Sequence, residues 1–205
     1  MMPPGHVATT WGVATLIQQN NPRLARLDYR LLAICALLPD LIDKPLAILA
    51  FTEAHTSQLI AHSLSFNLTL LILTLLFWRK AVPYVLAFNA HLLLDRMWYH
   101  SESFWWPFFG WNSFWQYKFM NTPEAMVNVY LDIVTRYPQV WVIELIAAGA
   151  LLWFAFRHRL VGGSRLKRFI LTGRVETIQP DTTTSPSIKK TASSFTLGPS
   201  RSPES

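Results

Sequence analysis

The chain has 205 residues, 51% of them hydrophobic and 15% charged, against about 25% charged in ordinary soluble domains. A mean hydropathy of +0.24, nine tryptophans and thirteen phenylalanines indicate an integral membrane protein rather than a soluble one. The lone cysteine, Cys35, excludes a disulfide framework and a cysteine-rich zinc site.

Residues 1–12, MMPPGHVATTWG, lack the basic and long apolar stretches of a secretory signal, so membrane insertion is expected from the mature helices. Residues 7–18 are a helix candidate, too short to span a hydrocarbon core of about 30 Å. A basic connector with Arg23, Arg26 and Arg30 leads to residues 31–51, which are apolar except at PDLIDKP. There Pro39 and Pro45 predict a kink or break that exposes backbone groups near Asp40 and Asp43. Residues 63–78 form a strongly apolar helix closed by Arg79-Lys80. Residues 81–98 form the next, and 139–156 the last. Between these two lies FWWPFFGWNSFWQY, residues 104–117, with nine aromatics in fourteen positions. Such a run suits the membrane–water boundary, where Trp and Tyr concentrate, or an aromatic wall around an apolar substrate. An amphipathic helix over 123–136 begins at Pro123.

The excess charge is confined to the end of the chain. Residues 1–156 balance nine Lys/Arg against nine Asp/Glu, whereas residues 157–205 carry nine against three. With no base-reading motif beside it, this excess is not read as a nucleic-acid surface. It suits a juxtamembrane anchor meeting membrane lipid. Of the 29 residues in 177–205, 17 are Ser, Thr or Pro, too few apolar groups to build a core, so that tail is expected to be disordered. The organisation expected is therefore a helical membrane domain over 1–160, a basic juxtamembrane segment over 161–176, and the tail. The fold class is all-α and polytopic, with about four to five membrane-embedded helices and an aromatic interfacial segment. Putting the three basic clusters in the cytoplasm lets the helices alternate without conflict, in an inner membrane with a cytoplasmic C-terminus.

Ionisable groups in membrane helices cost several kcal/mol and usually pair, line a cavity or bind an ion. Here the candidates are His6, Asp40, Asp43, His62, His91 and Asp95; of these His6, if its short helix inserts, His62, Asp95 and the Asp40–Asp43 break fall toward the same, non-cytoplasmic half. His91 and Asp95, at i and i+4, share one helical face. Plainer readings exist: a private His91–Asp95 hydrogen bond, or capping by Asp40, Asp43 and the His62-Ser63 pair. Together the six residues form a ligand set for a divalent ion, zinc first and manganese or iron next. His55, seven residues before His62 and about 10 Å away along a helix, cannot share one ion with it and is placed beside the site or facing substrate. Lys44, Trp105 and Trp106 join it there. His100 and His158 read as interface residues, and Glu144 as an interhelical partner. No Gly-x-Ser-x-Gly elbow or phosphate-cradling loop appears.

In order, GH near the start, LLPDLID, AHSLSF, AHLLLD and FWWPF resemble the bacterial membrane-bound, metal-dependent hydrolases, also catalogued as LexA-binding, inner-membrane-associated hydrolases. The resemblance covers residues 1–110. It implies a helical membrane fold and a metal centre carried by His6, Asp40, Asp43, His62, His91 and Asp95. Two departures stand out. Lys44 occupies the place of a histidine in the family's LPDIDH motif, and HTSQLIAHS spaces its histidines differently from the family's His-Arg-Gly-Phe-Thr-His-Ser run.

The reading of function is hydrolysis by metal-activated water, with Asp43 orienting or deprotonating the water and a lipid ester or phosphodiester as substrate. The alternative is a non-enzymatic membrane protein with a structural or metal-binding His/Asp cluster.

Overall fold

Pro3 and Pro4 open the first helix at positions where a missing N–H costs nothing. In the computed structural model, which describes residues 2–21, 24, 26–51, 56–111 and 123–175, the chain is helical, with no strand among the described residues. Helix α1 runs Pro3–Asn20, longer than its apolar stretch suggested, and α2 runs Tyr29–Leu49. The Asp28 side chain caps α2 by accepting from the backbone N–H groups of Arg30 and Leu31. Of the expected kink or break, the break does not occur: α2 passes through both Pro39 and Pro45. Each proline forfeits one backbone bond, but α2 packs along α1 and α4, and that burial keeps the helix continuous.

A short 3-10 turn, Ile60–His62, precedes α3, Leu64–Phe77, whose cap is the Ser63 hydroxyl accepting from Phe66 N at 3.3 Å. Helix α4, Val82–Leu94, ends at Asp95, after which Arg96 takes a left-handed conformation (φ 53°). It therefore stops short of residue 98. Then come α5, Ser101–Phe104, α6, Pro123–Arg136, and α7, Pro138–Arg157. The basic segment after α7, expected as a juxtamembrane anchor, contains a helix, α8, Gly163–Thr172.

Among the described residues one helix, α7, is long and apolar enough to cross a bilayer by length and composition, and 11% of its apolar window is buried. Leu145, Ile146, Leu152 and Phe156 on it are exposed. Helices α3 and α4, at 14 and 13 residues, reach about 20 Å at 1.5 Å per residue, short of a full span. Helix α2 has the length but carries Asp40, Asp43 and Lys44.

Side-chain contacts set the helix directions. Asp28 N donates to Tyr84 Oη, and His91 Nδ1 meets Ala36 O, so α2 and α4 run parallel. Trp11 Nε1 donates to Tyr29 O at the start of α2, while His6, earlier in α1, stacks on His91, which meets Ala36 further along α2, so α1 runs against α2. Met2 N donates to Glu144 Oε1 and Thr15 meets His158, so α1 and α7 run parallel. One end of the bundle thus gathers the start of α1, the C-terminal half of α2, the start of α3 and the end of α4. The opposite end holds an aromatic core of Trp11, Tyr29, Phe154 and Phe169, with His158 buried beside it. Helix α8 is clamped there: Arg30 Nη1 donates to the carbonyls of Ile170 and Leu171, and Tyr29 N donates to Gly173 O at 2.7 Å. Gly173 closes α8 with φ 66°, and a Cβ on it would lie 1.6 Å from Asp28 Oδ1.

Candidate metal centre

The i, i+4 spacing on α4 stacks Asp95 over His91, and the two converge with α2 and the 60–62 turn. Four side chains, Asp40, His62, His91 and Asp95, each offer one ligand atom, all within 4.8 Å of one another. His91 Nε2 lies 3.2 Å from Asp95 Oδ2 and 3.8 Å from Asp40 Oδ1; His62 Nε2 lies 3.5 Å from Asp40 Oδ1. Donors about 2.0–2.1 Å from a tetrahedral zinc ion stand about 3.3 Å apart, so these spacings match atoms sharing one cation.

The far sides of both imidazoles show that this face is prepared. His91 Nδ1 lies 2.7 Å from the Ala36 carbonyl, which can only accept, so Nδ1 carries the proton. His62 Nδ1 lies 2.7 Å from Asp43 Oδ2, which likewise accepts. In the neutral form of each ring the lone pair is then on Nε2, facing the cluster. Both rings are fully buried, and neither Nε2 has a hydrogen-bond partner. A ligating histidine usually has its second nitrogen held by a carboxylate or carbonyl in this way. A buried imidazole nitrogen facing carboxylates needs a proton or a metal ion between them.

Asp43 stands behind His62 rather than among the four. Fully buried, it accepts from the backbone N–H groups of Leu59 (2.8 Å), Ala61 (3.1 Å) and His62 (3.1 Å) as well as from the His62 ring. Lys44, four residues after Asp40, puts Nζ 2.6 Å from Asp40 Oδ2, leaving Oδ1 toward the histidines. Where a family histidine was expected, this lysine holds a carboxylate. His6 is fully buried beside the four, with Nε2 3.0 Å from Asp95 Oδ1 and its ring stacked on His91 at 4.0 Å. Trp106 packs near Ala47 and Leu59, and its carbonyl accepts from Ser65 Oγ at 2.6 Å; Trp105 is exposed. His55 lies outside the described residues, as do residues 112–117 of the aromatic run and the tail.

Two contributors went unnoticed in the sequence. The Ala36 carbonyl carries no side-chain signal at all. Asn67, buried in α3, donates from Nδ2 to the carbonyls of Ala61 and Ser63, both at 2.8 Å, and so braces the turn that presents His62. An asparagine within the apolar run LSFNLTLLIL was its visible sign.

Fold and cluster define a helical protein whose buried His/Asp group is able to hold a metal ion. Residues 1–161 match the family model described as YdjM inner membrane protein, and the chain belongs to that family. This supports the inner-membrane part of the resemblance drawn from the motifs; its description speaks of neither hydrolysis nor LexA. No curated protein and no solved structure gave a match.

Proposed function

We propose that this inner-membrane protein is a metal-dependent hydrolase whose centre is held by Asp40, His62, His91 and Asp95. The observation that carries the reading is the pair of buried imidazoles, each tied at Nδ1 and each presenting a bare Nε2 to two carboxylates. Bound there, a divalent ion supplies the charge that makes water a nucleophile near neutral pH. The chain's own residues do the positioning. Asp43, whose oxygens are committed to three backbone N–H groups and His62, holds that ring instead of acting on water. Lys44 holds Asp40 and offsets part of the negative charge of the site.

Zinc is the first candidate for this mixed nitrogen and oxygen set, with manganese or iron next. The substrate class we infer is a lipid ester or phosphodiester. The exposed aromatics Trp105, Phe108, Phe109 and Trp111 lie on the loop anchored to Ser65, two residues from the Ser63 cap. Shorter apolar helices with exposed leucines, such as α3, support embedding of more of the bundle than α7 alone. The C-terminus we place in the cytoplasm, because Arg30, Arg157 and the α8 basic residues gather at the end opposite the cluster.

A structural ion is a second reading, favoured by the ligand count: four protein donors close a tetrahedral ion. Two measurements on the purified protein separate the readings. Hydrolysis of ester or phosphodiester lipids that disappears with chelation and returns with metal supports the enzyme. Tight stoichiometric metal without such turnover supports the structural ion.

A further inference from the structure

His6 does not belong to the set of four whose donor atoms lie within 4.8 Å of one another, yet it is buried beside them. It is 0% exposed, and neither Nδ1 nor Nε2 has a hydrogen-bond partner. Asp95 Oδ1 is only 3.0 Å from Nε2 but lies off the line of a ring N–H bond. Two donors that close and not aimed at each other are placed as neighbours on a common cation are.

The two carboxylates of the cluster are used differently. Asp40 commits Oδ2 to Lys44 and turns Oδ1 toward both His62 and His91. Asp95 divides its oxygens, Oδ1 toward His6 and Oδ2 toward His91. A carboxylate with one oxygen on each of two imidazoles is arranged to bridge. The His6 and His91 imidazoles are stacked, with ring centroids 4.0 Å apart and planes 10° from parallel. That spacing matches the roughly 3.5–4 Å between ions in two-metal sites.

We propose that His6 and Asp95 hold a second divalent cation beside the first, with Asp95 bridging the pair. This rests on the metal-centre reading above and adds a separate ion to it. Helix α1 would then be a component of the centre rather than packing alone, kept in place by the bond from Met2 N to Glu144 Oε1.

The test uses the full-length protein purified in detergent, stripped with a chelator and reloaded with manganese(II). Metal is counted by mass spectrometry and the electronic state read by electron paramagnetic resonance. The expected result is two ions per chain with an exchange-coupled spectrum in the wild type. His6→Ala should hold one ion per chain and show an uncoupled spectrum. A wild type with a single, uncoupled ion overturns the second position, whatever the variant does, and needs no mutant that must fold. Two ions retained in His6→Ala overturn the assignment to His6. A wild type that binds no metal overturns the metal-centre reading itself, which keeps the two failures apart.

Discussion

At the residue scale, what distinguishes Asp43 from Asp40 is where their oxygens are spent. They are three residues apart, and both face inward from α2. Asp43 is consumed by three backbone N–H groups and the His62 ring, while Asp40 keeps Oδ1 toward the histidines. Asp43→Asn should therefore leave the ligands in place and weaken metal binding by roughly 10–100-fold, as changes behind a ligand typically do. Equilibrium titration with zinc checks this; complete loss of binding would make Asp43 a ligand after all. The i, i+4 relation of His91 and Asp95 was legible from spacing alone, because helical periodicity dictates it. The division of labour between Asp40 and Asp43 was not, because it depends on a turn, residues 59–62, brought back from 16 to 19 positions away.

At the element scale, the sequence places the ends of α3, α6 and α7 to within a residue, but cuts α1 short and runs α4 too far. Ser63 and Arg79-Lys80 mark the ends of α3, whereas the apolar run over 81–98 hides its stop, which the left-handed Arg96 sets. Prolines 39 and 45 argued for a break that packing on both flanks overrides. Helix α8 was hidden because Arg165, Lys167 and Arg168 read as solvated charge, whereas Phe169 buries itself against Trp11 and Phe154. Its seam with α2 turns on Gly173, where any Cβ meets Asp28 and the backbone is left-handed. Gly173→Ala should destabilise the folded protein by at least the roughly 1–3 kcal/mol of a strained left-handed residue, lowering the thermal midpoint in detergent. Metal content should stay unchanged, since the cluster lies at the other end of α2. An unaltered midpoint would mean that α8 does not dock as described.

For the whole molecule, function and charge are segregated. Asp43 lies about 20 Å along α2 from Arg30, so the basic end and the His/Asp end are separated by most of a hydrocarbon core. On the positive-inside tendency, a C-terminal reporter active only in the cytoplasm should be active. Activity from a reporter that works only on the far side would reverse the orientation and the face on which the cluster opens. Deleting residues 177–205, whose composition offers nothing to bury, should leave expression and membrane insertion nearly unchanged. Loss of insertion would show that the body needs the tail.

If two imidazoles and two carboxylates are built to hold a cation, the metal content of the purified protein decides it. Wild-type protein loaded with zinc and freed of excess should retain at least one ion per chain. Asp95→Asn should lose most of it while still inserting, because an amide keeps a hydrogen bond but is a poor ligand. If His91 and Asp95 were instead a private pair, the wild type would hold no stoichiometric metal, and Asp95→Ala would cost about 1–3 kcal/mol of stability from the unsatisfied partner. Metal-free wild type, or Asp95→Asn with wild-type metal content, contradicts the account.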